Sequence, residues 1–148
     1  NGLPEQTAEA FAGGWLHTGD VGRFDDDGYL YIVDRKKDMI VTGGFNVFPR
    51  EIEDVISAHP AVAMVAVVGV PDERWGEAGK AVVVLRPGPE PSEELAAELQ
   101  TAVKDAKGSV QSPKSVDFVA QIPLSPLGKP DKKTLRAQFW GDRERGVN

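Results

Sequence analysis

Residues 61–70 constrain most what this chain can fold into. Ala61-Val62-Ala63-Met64-Val65-Ala66-Val67-Val68-Gly69-Val70 is almost wholly apolar, rich in β-branched side chains and bracketed by Pro60 and Pro71. The run is far short of the roughly 20 apolar residues that a membrane-spanning helix needs. β-Branched side chains are stiff and pack well on a pleated surface, so the run predicts a buried strand. Residues 79–86 repeat the pattern through Ala81-Val82-Val83-Val84-Leu85, and Pro87-Gly88-Pro89 stops it.

The segments around these strands follow a helical period. Pro49 opens a predicted helix over about residues 49–58. Glu51, Glu53 and Asp54 lie in its first turns, where carboxylates complement the helix dipole. Ile52, Val55 and Ile56 mark its buried stripe. Ser92 is placed to cap a second helix running to about Lys107, with Leu95, Leu99, Ala102, Val103 and Ala106 on one face and Gly108 as its stop. Ser115 to Val119 alternates as a strand. A loop with Pro123, Pro126, Gly128 and Pro130 leads to a last helix from about Asp131 to Trp140. Met39-Ile40-Val41 is a short strand ended by Gly43-Gly44. From residue 38 onward the order is strand, helix, strand, strand, helix, strand, helix. The expected class is α+β, with helices packed on a small, mostly antiparallel sheet.

Residues 13–34 form a separate block. Asp25-Asp26-Asp27-Gly28 is a turn signal, and Phe24 before it and Tyr29-Leu30-Tyr31-Ile32-Val33 after it predict a β-hairpin. Calcium binding in an EF-hand loop needs oxygen ligands at alternate positions and a Glu at the twelfth, a spacing absent here. A solvated hairpin tip fits better. Asp34-Arg35-Lys36-Lys37-Asp38 then offers five charged residues with no apolar partner, which marks a boundary between packed units. The block before it looks like the end of some other structure.

Composition narrows the chemistry. There is no Cys, which excludes disulfides, Cys-based zinc sites and a thiolate nucleophile. His17 and His59 are too few for a His-rich metal site. Seventeen basic against 23 acidic residues give a net charge of −6, a poor balance for a general nucleic-acid binder. Residues 129–145 carry six basic and three acidic side chains and read most simply as a solvated helix face and tail. Asn1 to Ala12 shows no basic region followed by an apolar stretch, so no signal peptide is visible and the cytoplasm is the default compartment. The chain does not begin with Met, so it looks like a piece or a processed product.

Three spots invite chemistry. In Thr18-Gly19-Asp20, a carboxylate on a Gly turn could accept hydrogen bonds from both hydroxyls of a ribose, or simply cap its own backbone. Gly43-Gly44-Phe45-Asn46 permits close approach of the backbone to a ligand, or a tight turn into the Pro49 helix. Leu127-Gly128-Lys129-Pro130 could set an ammonium group against phosphate, or leave an exposed Lys in a turn. It is not a Walker A loop, because Pro130 and Pro123 stand where Ser/Thr and the first Gly belong. On spacing alone the bland reading is the simpler one for all three.

Together these residues change the picture. Gly13-Gly14-Trp15-Leu16-His17-Thr18-Gly19-Asp20 comes first, then Gly28-Tyr29-Leu30-Tyr31-Ile32-Val33-Asp34-Arg35-Lys36-Lys37-Asp38. Gly43-Gly44-Phe45-Asn46-Val47-Phe48-Pro49-Arg50-Glu51-Ile52-Glu53 and Pro123-Leu124-Ser125-Pro126-Leu127-Gly128-Lys129-Pro130-Asp131-Lys132-Lys133 follow. In that order the four motifs resemble the C-terminal part of the adenylate-forming superfamily over about residues 13–140. That superfamily includes acyl- and aryl-CoA synthetases, peptide-synthetase adenylation domains and luciferase. The wording is most similar to fatty acyl-CoA and related acid–CoA ligases.

The resemblance implies a two-step reaction in the intact protein. A carboxylate attacks the α-phosphate of ATP to give acyl-adenylate and pyrophosphate, and the thiol of CoA then displaces AMP. ATP and CoA are substrates, and Mg2+ is expected in the parent enzyme with no ligands identifiable in this chain. The resemblance further implies that residues 1–34 end a large N-terminal domain, 35–37 form a hinge, 38–140 form a mobile C-terminal domain and 141–148 a tail. By position, Asp20 and Arg35 resemble the nucleotide-binding pair and Lys37 the hinge residue. Gly43, Gly44 and Phe45 resemble the loop lining the pantetheine tunnel. Trp75 resembles a residue near CoA, or else packs at a strand end. Lys129 resembles the catalytic adenylation Lys. Two positions depart from the pattern. Val110 and Gln111 stand before Pro113-Lys114 where many CoA ligases have an aromatic and a Lys, and Val41 replaces a luciferase Lys. The implied partners are the missing large domain, a carboxylic acid and CoA, with no nucleic acid and no membrane span. This chain alone is expected to be inactive. Loading of a carrier protein, or a non-catalytic interaction module, are the alternatives.

Overall fold

The computed structural model describes residues 2–141. Asn1 and residues 142–148, which hold nearly all of the expected tail and the end of the basic stretch, lie outside the described residues. The helix α1 (Pro4–Ala10) buries no side chain. Its sequence carries no apolar stripe, so periodicity shows no sign of it; Pro at its start and Glu5 in its first turn are its only local signals. A short 3-10 turn at Ala12–Gly14 follows.

The expected hairpin is present. β1 (Asp20–Phe24) pairs antiparallel with β2 (Leu30–Arg35), with Asp20 opposite Arg35 and a bulge between Val21 and Gly22. At its tip, Asp25 Oδ1 accepts from the amides of Tyr29 at 2.9 Å and Asp27 at 3.1 Å. The Tyr29 amide, reinforced by the Tyr31 hydroxyl and then by the amides of Asp27 and Gly28, holds the Asp25 carboxyl below the usual carboxylate range, against a smaller opposing effect of desolvation. A 3-10 turn, Lys36–Asp38, leads out of the hairpin.

Next come β3 (Ile40–Thr42) and β4 (Phe45–Val47), an antiparallel pair in which Thr42 faces Phe45. This corrects one expectation. Gly43-Gly44 closes a hairpin instead of turning directly into a helix. Both glycines sit at positive φ, +55° and +84°, as a type I′ turn requires. α2 (Pro49–Ser57), β5 (Val62–Asp72), β6 (Gly76–Leu85), α3 (Glu93–Lys107), β7 (Ser115–Phe118) and α4 (Lys132–Trp140) complete the chain. Ser92 caps α3 as expected, accepting from the Leu95 amide at 3.1 Å, and Gly108 ends the helix at φ +90°.

The class is α+β. Strand pairs are antiparallel except β6–β7, which is parallel because α3 carries the chain back across the sheet before β7 begins. In the order β5-β6-β7 the sheet is covered on both faces. Val65, Val67, Ala81 and Val83 meet Ile52 and Ile56 of α2 and Leu99 and Val103 of α3. Ala66, Val68 and Val82 point the other way, toward Leu135 of α4 and Ile122 of the segment before it. Successive strand residues face opposite sides, so a strand buried on both must be apolar throughout. That is the physical reason for the unbroken run at 61–70. No helix among the described residues is long and apolar enough to cross a membrane.

Candidate functional site

The structure puts the singled-out residues in three places. The first is a concave cavity of about 760 Å³ beside the base of the β1–β2 hairpin. Asp20, Arg35 and Lys37 all line it, together with His17, Thr18 and Gly19. The ladder register sets Asp20 opposite Arg35, and Arg35 Nε lies 3.6 Å from Asp20 Oδ1. Gly19, at φ +77°, lets the chain turn into β1, and its carbonyl accepts from the Lys36 amide at 2.8 Å. Thr18 Oγ1 accepts from the Asp20 amide at 3.1 Å. The Asp20 carboxylate therefore does not cap its own turn; the Thr hydroxyl does. One wall thus holds an acceptor-only carboxylate and a fork of fixed donors, a pair able to meet two hydroxyls and a phosphate.

The second place is the glycine turn. Gly43 donates its amide to the Trp75 carbonyl at 3.0 Å, and a Cβ at Gly43 would lie 2.6 Å from Trp75 Cε3. The indole thus packs on bare backbone. Arg74 lies over the same ring at 4.5 Å, within cation–π range. The loop Asp72–Gly76 is held by Asp72 Oδ1, which accepts from the amides of Arg74 at 2.9 Å and Trp75 at 2.8 Å. Gly44 has open space where a Cβ would go, and Phe45 is exposed. Gly43 and Trp75, far apart in sequence, form one contact surface.

The third place is the loop before α4. Lys129 is pinned by its backbone: its carbonyl accepts from the Ser125 amide at 2.7 Å and its amide donates to Ser125 Oγ at 3.3 Å. Leu124 and Pro130 form a β-bridge, and the Asp131 amide donates to the Pro123 carbonyl at 2.8 Å. Among the described residues the exposed Lys129 ammonium makes no ion pair. Neither Lys129 nor the Gly43–Trp75 surface lines the 760 Å³ cavity. Of the sequence-derived residues, Asp20, Arg35 and Lys37 come together, as do Gly43 and Trp75, while Lys129 stands apart.

Two carboxylates escaped sequence reasoning. Asp34 looked like part of a solvated charge run, yet it is 8% exposed. Its Oδ1 accepts from the Arg35 amide at 2.7 Å, and its Oδ2 accepts from the Arg50 amide at 3.0 Å, in the first turn of α2. Glu77 is 4% exposed, and its Oε2 accepts from the Val41 amide at 3.0 Å. Gly69 makes room for it, since a Cβ there would overlap the carboxylate. At the departure from the family pattern, Val110 is exposed and the Gln111 side-chain amide oxygen is enclosed without a hydrogen-bond partner.

Comparison with known proteins identifies the family. The family model for the AMP-binding enzyme C-terminal domain matches residues 51–129. A medium/long-chain-fatty-acid–CoA ligase of Mycobacterium tuberculosis, FadD8, is 62% identical over 98% of this chain and 26% of its own length. A fatty acid–[acyl-carrier-protein] ligase of Streptomyces coeruleorubidus, ScoC, is 48% identical over 99% of this chain and 28% of its own. Among solved structures, the amide bond synthetase McbA from Marinactinospora thermotolerans superposes with a TM-score of 0.80 at 46% identity, over 93% of this chain and 28% of that one. The chain spans about a quarter of the length of the curated relatives it matches.

Proposed function

Because the chain belongs to the AMP-binding enzyme C-terminal domain family, we propose that it is the C-terminal part of an ATP-dependent acid–CoA ligase. The intact enzyme would join a carboxylate to ATP, release pyrophosphate and pass the acyl group from the adenylate to the thiol of CoA. The observation that carries this reading is the Asp20–Arg35 pair on the wall of the 760 Å³ cavity. It sets a ribose-hydroxyl acceptor beside a phosphate donor, as an adenylate needs.

In this reading residues 35–37 are the hinge and 38–140 the mobile domain. Lys37, in the 3-10 turn at the cavity's edge, acts at the pivot. Lys129 serves the first step. Its ammonium holds the substrate carboxylate near the α-phosphate and offsets the charge that builds there. Charge positioned in this way often supplies most of the rate gain in phosphoryl chemistry. Gly43, Gly44, Phe45 and Trp75 serve the second step as a wall for pantetheine. A large N-terminal domain is the principal partner. Nine of the fourteen large exposed apolar side chains among the described residues lie between Leu3 and Ile32, a concentration that a covering domain would remove from water. A cytoplasmic setting belongs to the same reading. Mg2+ accompanies ATP in this reading; among the described residues no group of three or more His, Cys, Asp or Glu could hold a metal, and no Mg2+ ligand is assigned to this chain.

The test is Lys129→Ala in the intact enzyme. Acyl-adenylate formation is expected to be abolished, while CoA transfer to acyl-adenylate supplied ready-made is largely spared. Equal loss of both half-reactions would overturn the role. A carrier-protein thiol as acceptor is the second reading, favoured by the likeness to ScoC. Assaying the intact enzyme with free CoA against a carrier-protein thiol separates the two.

A further inference from the structure

α4 is held in an unusual way. Leu135 is its one fully buried side chain, and Phe139, a turn further on, packs partly buried against the same core, so its apolar stripe is narrow. Beside that stripe it carries polar anchors that recur every fourth residue. Lys132 Nζ lies 2.8 Å from Glu53 Oε1 of α2. Arg136 Nη1 lies 3.4 Å from Asp38 Oδ1. Trp140 Nε1 donates to the Gly69 carbonyl of β5 at 2.8 Å. Positions i, i+4 and i+8 lie along one helix face, so these three contacts form a single seam.

The middle contact matters most. Asp38 is the last residue of the Lys36–Asp38 turn, and Arg136 sits on the helix that directly follows the Lys129 loop. Both side chains of the pair are well covered, at 15% and 16% exposure. Ion pairs this well covered are screened far less than surface ones, and removing one partner strands the other charge. The loop itself is rigidly joined to α4. Asp131 caps the helix and is bonded back to Pro123, and the Lys129 backbone is bonded to Ser125 in both directions. A continuous path of short contacts therefore runs from the hinge turn through Arg136 and α4 to Lys129.

We propose that Asp38 and Arg136 are positioning residues for Lys129: their ion pair fixes the placement of the Lys129 loop relative to the Lys36–Asp38 turn. The proposal rests on the reading that Lys129 acts in adenylation. Neither residue touches substrate; each acts through α4. In the intact ligase, Arg136→Met should slow carboxylate-dependent ATP–pyrophosphate exchange about ten- to a hundredfold in kcat, the scale set by a misplacement of about 1 Å. The KM for ATP should change little, because the Asp20–Arg35 corner is untouched. Thioester formation from supplied acyl-adenylate should proceed at the parent rate. Asp38→Asn should show the same split, and the charge exchange Asp38→Arg with Arg136→Asp should restore most of the exchange rate.

The outcomes separate. Exchange retained in Lys129→Ala refutes the Lys129 reading and takes the positioning role with it. Exchange lost in Lys129→Ala but unchanged in Arg136→Met and Asp38→Asn refutes the positioning role alone. A lowered urea midpoint with both half-reactions slowed equally, and no rescue by the charge exchange, marks the pair as merely structural and also overturns the proposal. If Arg136→Met does not fold, Asp38→Asn and the charge exchange carry the test.

Discussion

Replacing Gly43 by Ala tests the glycine turn quantitatively. Two separable penalties follow from its geometry. At φ +55° an L-residue is in the left-handed region, which costs roughly 1–2 kcal/mol. The new Cβ would also sit 2.6 Å from Trp75 Cε3, so the indole must move. Trp75 is 40% exposed and has room to swing, which caps the steric part at the value of its packing. That packing includes the Arg74 stack, worth about 0.5–1 kcal/mol at an exposed site. Coupling between touching residues runs from about 0.5 to 3 kcal/mol, and the low end applies to a ring free to leave, so Gly43→Ala should destabilise by about 1.5–3 kcal/mol in all. In a Trp75→Ala background the steric part vanishes and only the backbone part remains, about 1–2 kcal/mol. Urea unfolding of the four chains of this cycle, compared at constant m, reads both penalties. An equal cost of Gly43→Ala in both backgrounds would refute the packing of the indole on Gly43. A cost near zero in either background would refute the positive φ.

Other expected outcomes are simpler. Ser92→Ala removes the acceptor for the Leu95 amide and should destabilise by about 0.5–2 kcal/mol, read as a lower urea midpoint, while Ser92→Asp should keep most of the cap. Leu99→Ala opens a hole between α3 and the sheet at a site with 0% exposure and should lose about 2–5 kcal/mol by the same assay. Leu127→Ser, at 85% exposure, should change stability by less than about 0.5 kcal/mol. Hydrogen bonds from the Thr134 hydroxyl, then the Thr134 amide, hold the Asp131 carboxyl below its usual range. A carboxyl lowered on folding stabilises fully above its unfolded-state value and loses that contribution as pH falls through the lowered one. Asp131→Asn should therefore flatten part of the acid limb of a stability–pH curve, read from urea midpoints across pH.

The parts legible in the sequence are those where one local rule decides. Val62 to Val70 announces a strand because burial on both faces leaves no polar position. Ser92 and Gly108 announce the ends of α3 because a cap and a positive φ are residue-specific demands. The strand at Phe45–Val47 was not legible, because three residues are too few to show alternation. The direction of β7 was not legible either: Ser115–Phe118 alternates the same way whether its neighbour runs parallel or antiparallel. Asp34 and Glu77 were missed for a different reason. A carboxylate reads as a surface residue until its partner is known, and the partners are the Arg50 amide, 16 residues on, and the Val41 amide, 36 residues back. At the candidate site, chemistry came from motif order and not from spacing. Each of Asp20, Gly43 and Lys129 has an ordinary structural explanation alone, and the structure supplies one for Gly43 in full.

The Asp34 bond to α2 has an energetic consequence for the domain movement proposed above. Asp34 precedes the Lys36–Asp38 turn and Arg50 follows it, so their hydrogen bond spans the hinge proposed above. A rotation that carries α2 away from β2 must take the Arg50 amide from that carboxylate. A charge-assisted bond of this kind is worth about 1.5–3 kcal/mol. Unless another donor replaces it, that figure biases the resting population toward the arrangement seen here by roughly ten- to a hundredfold. If residues 38–140 turn as proposed, the bond works as a detent that must be overcome before they do.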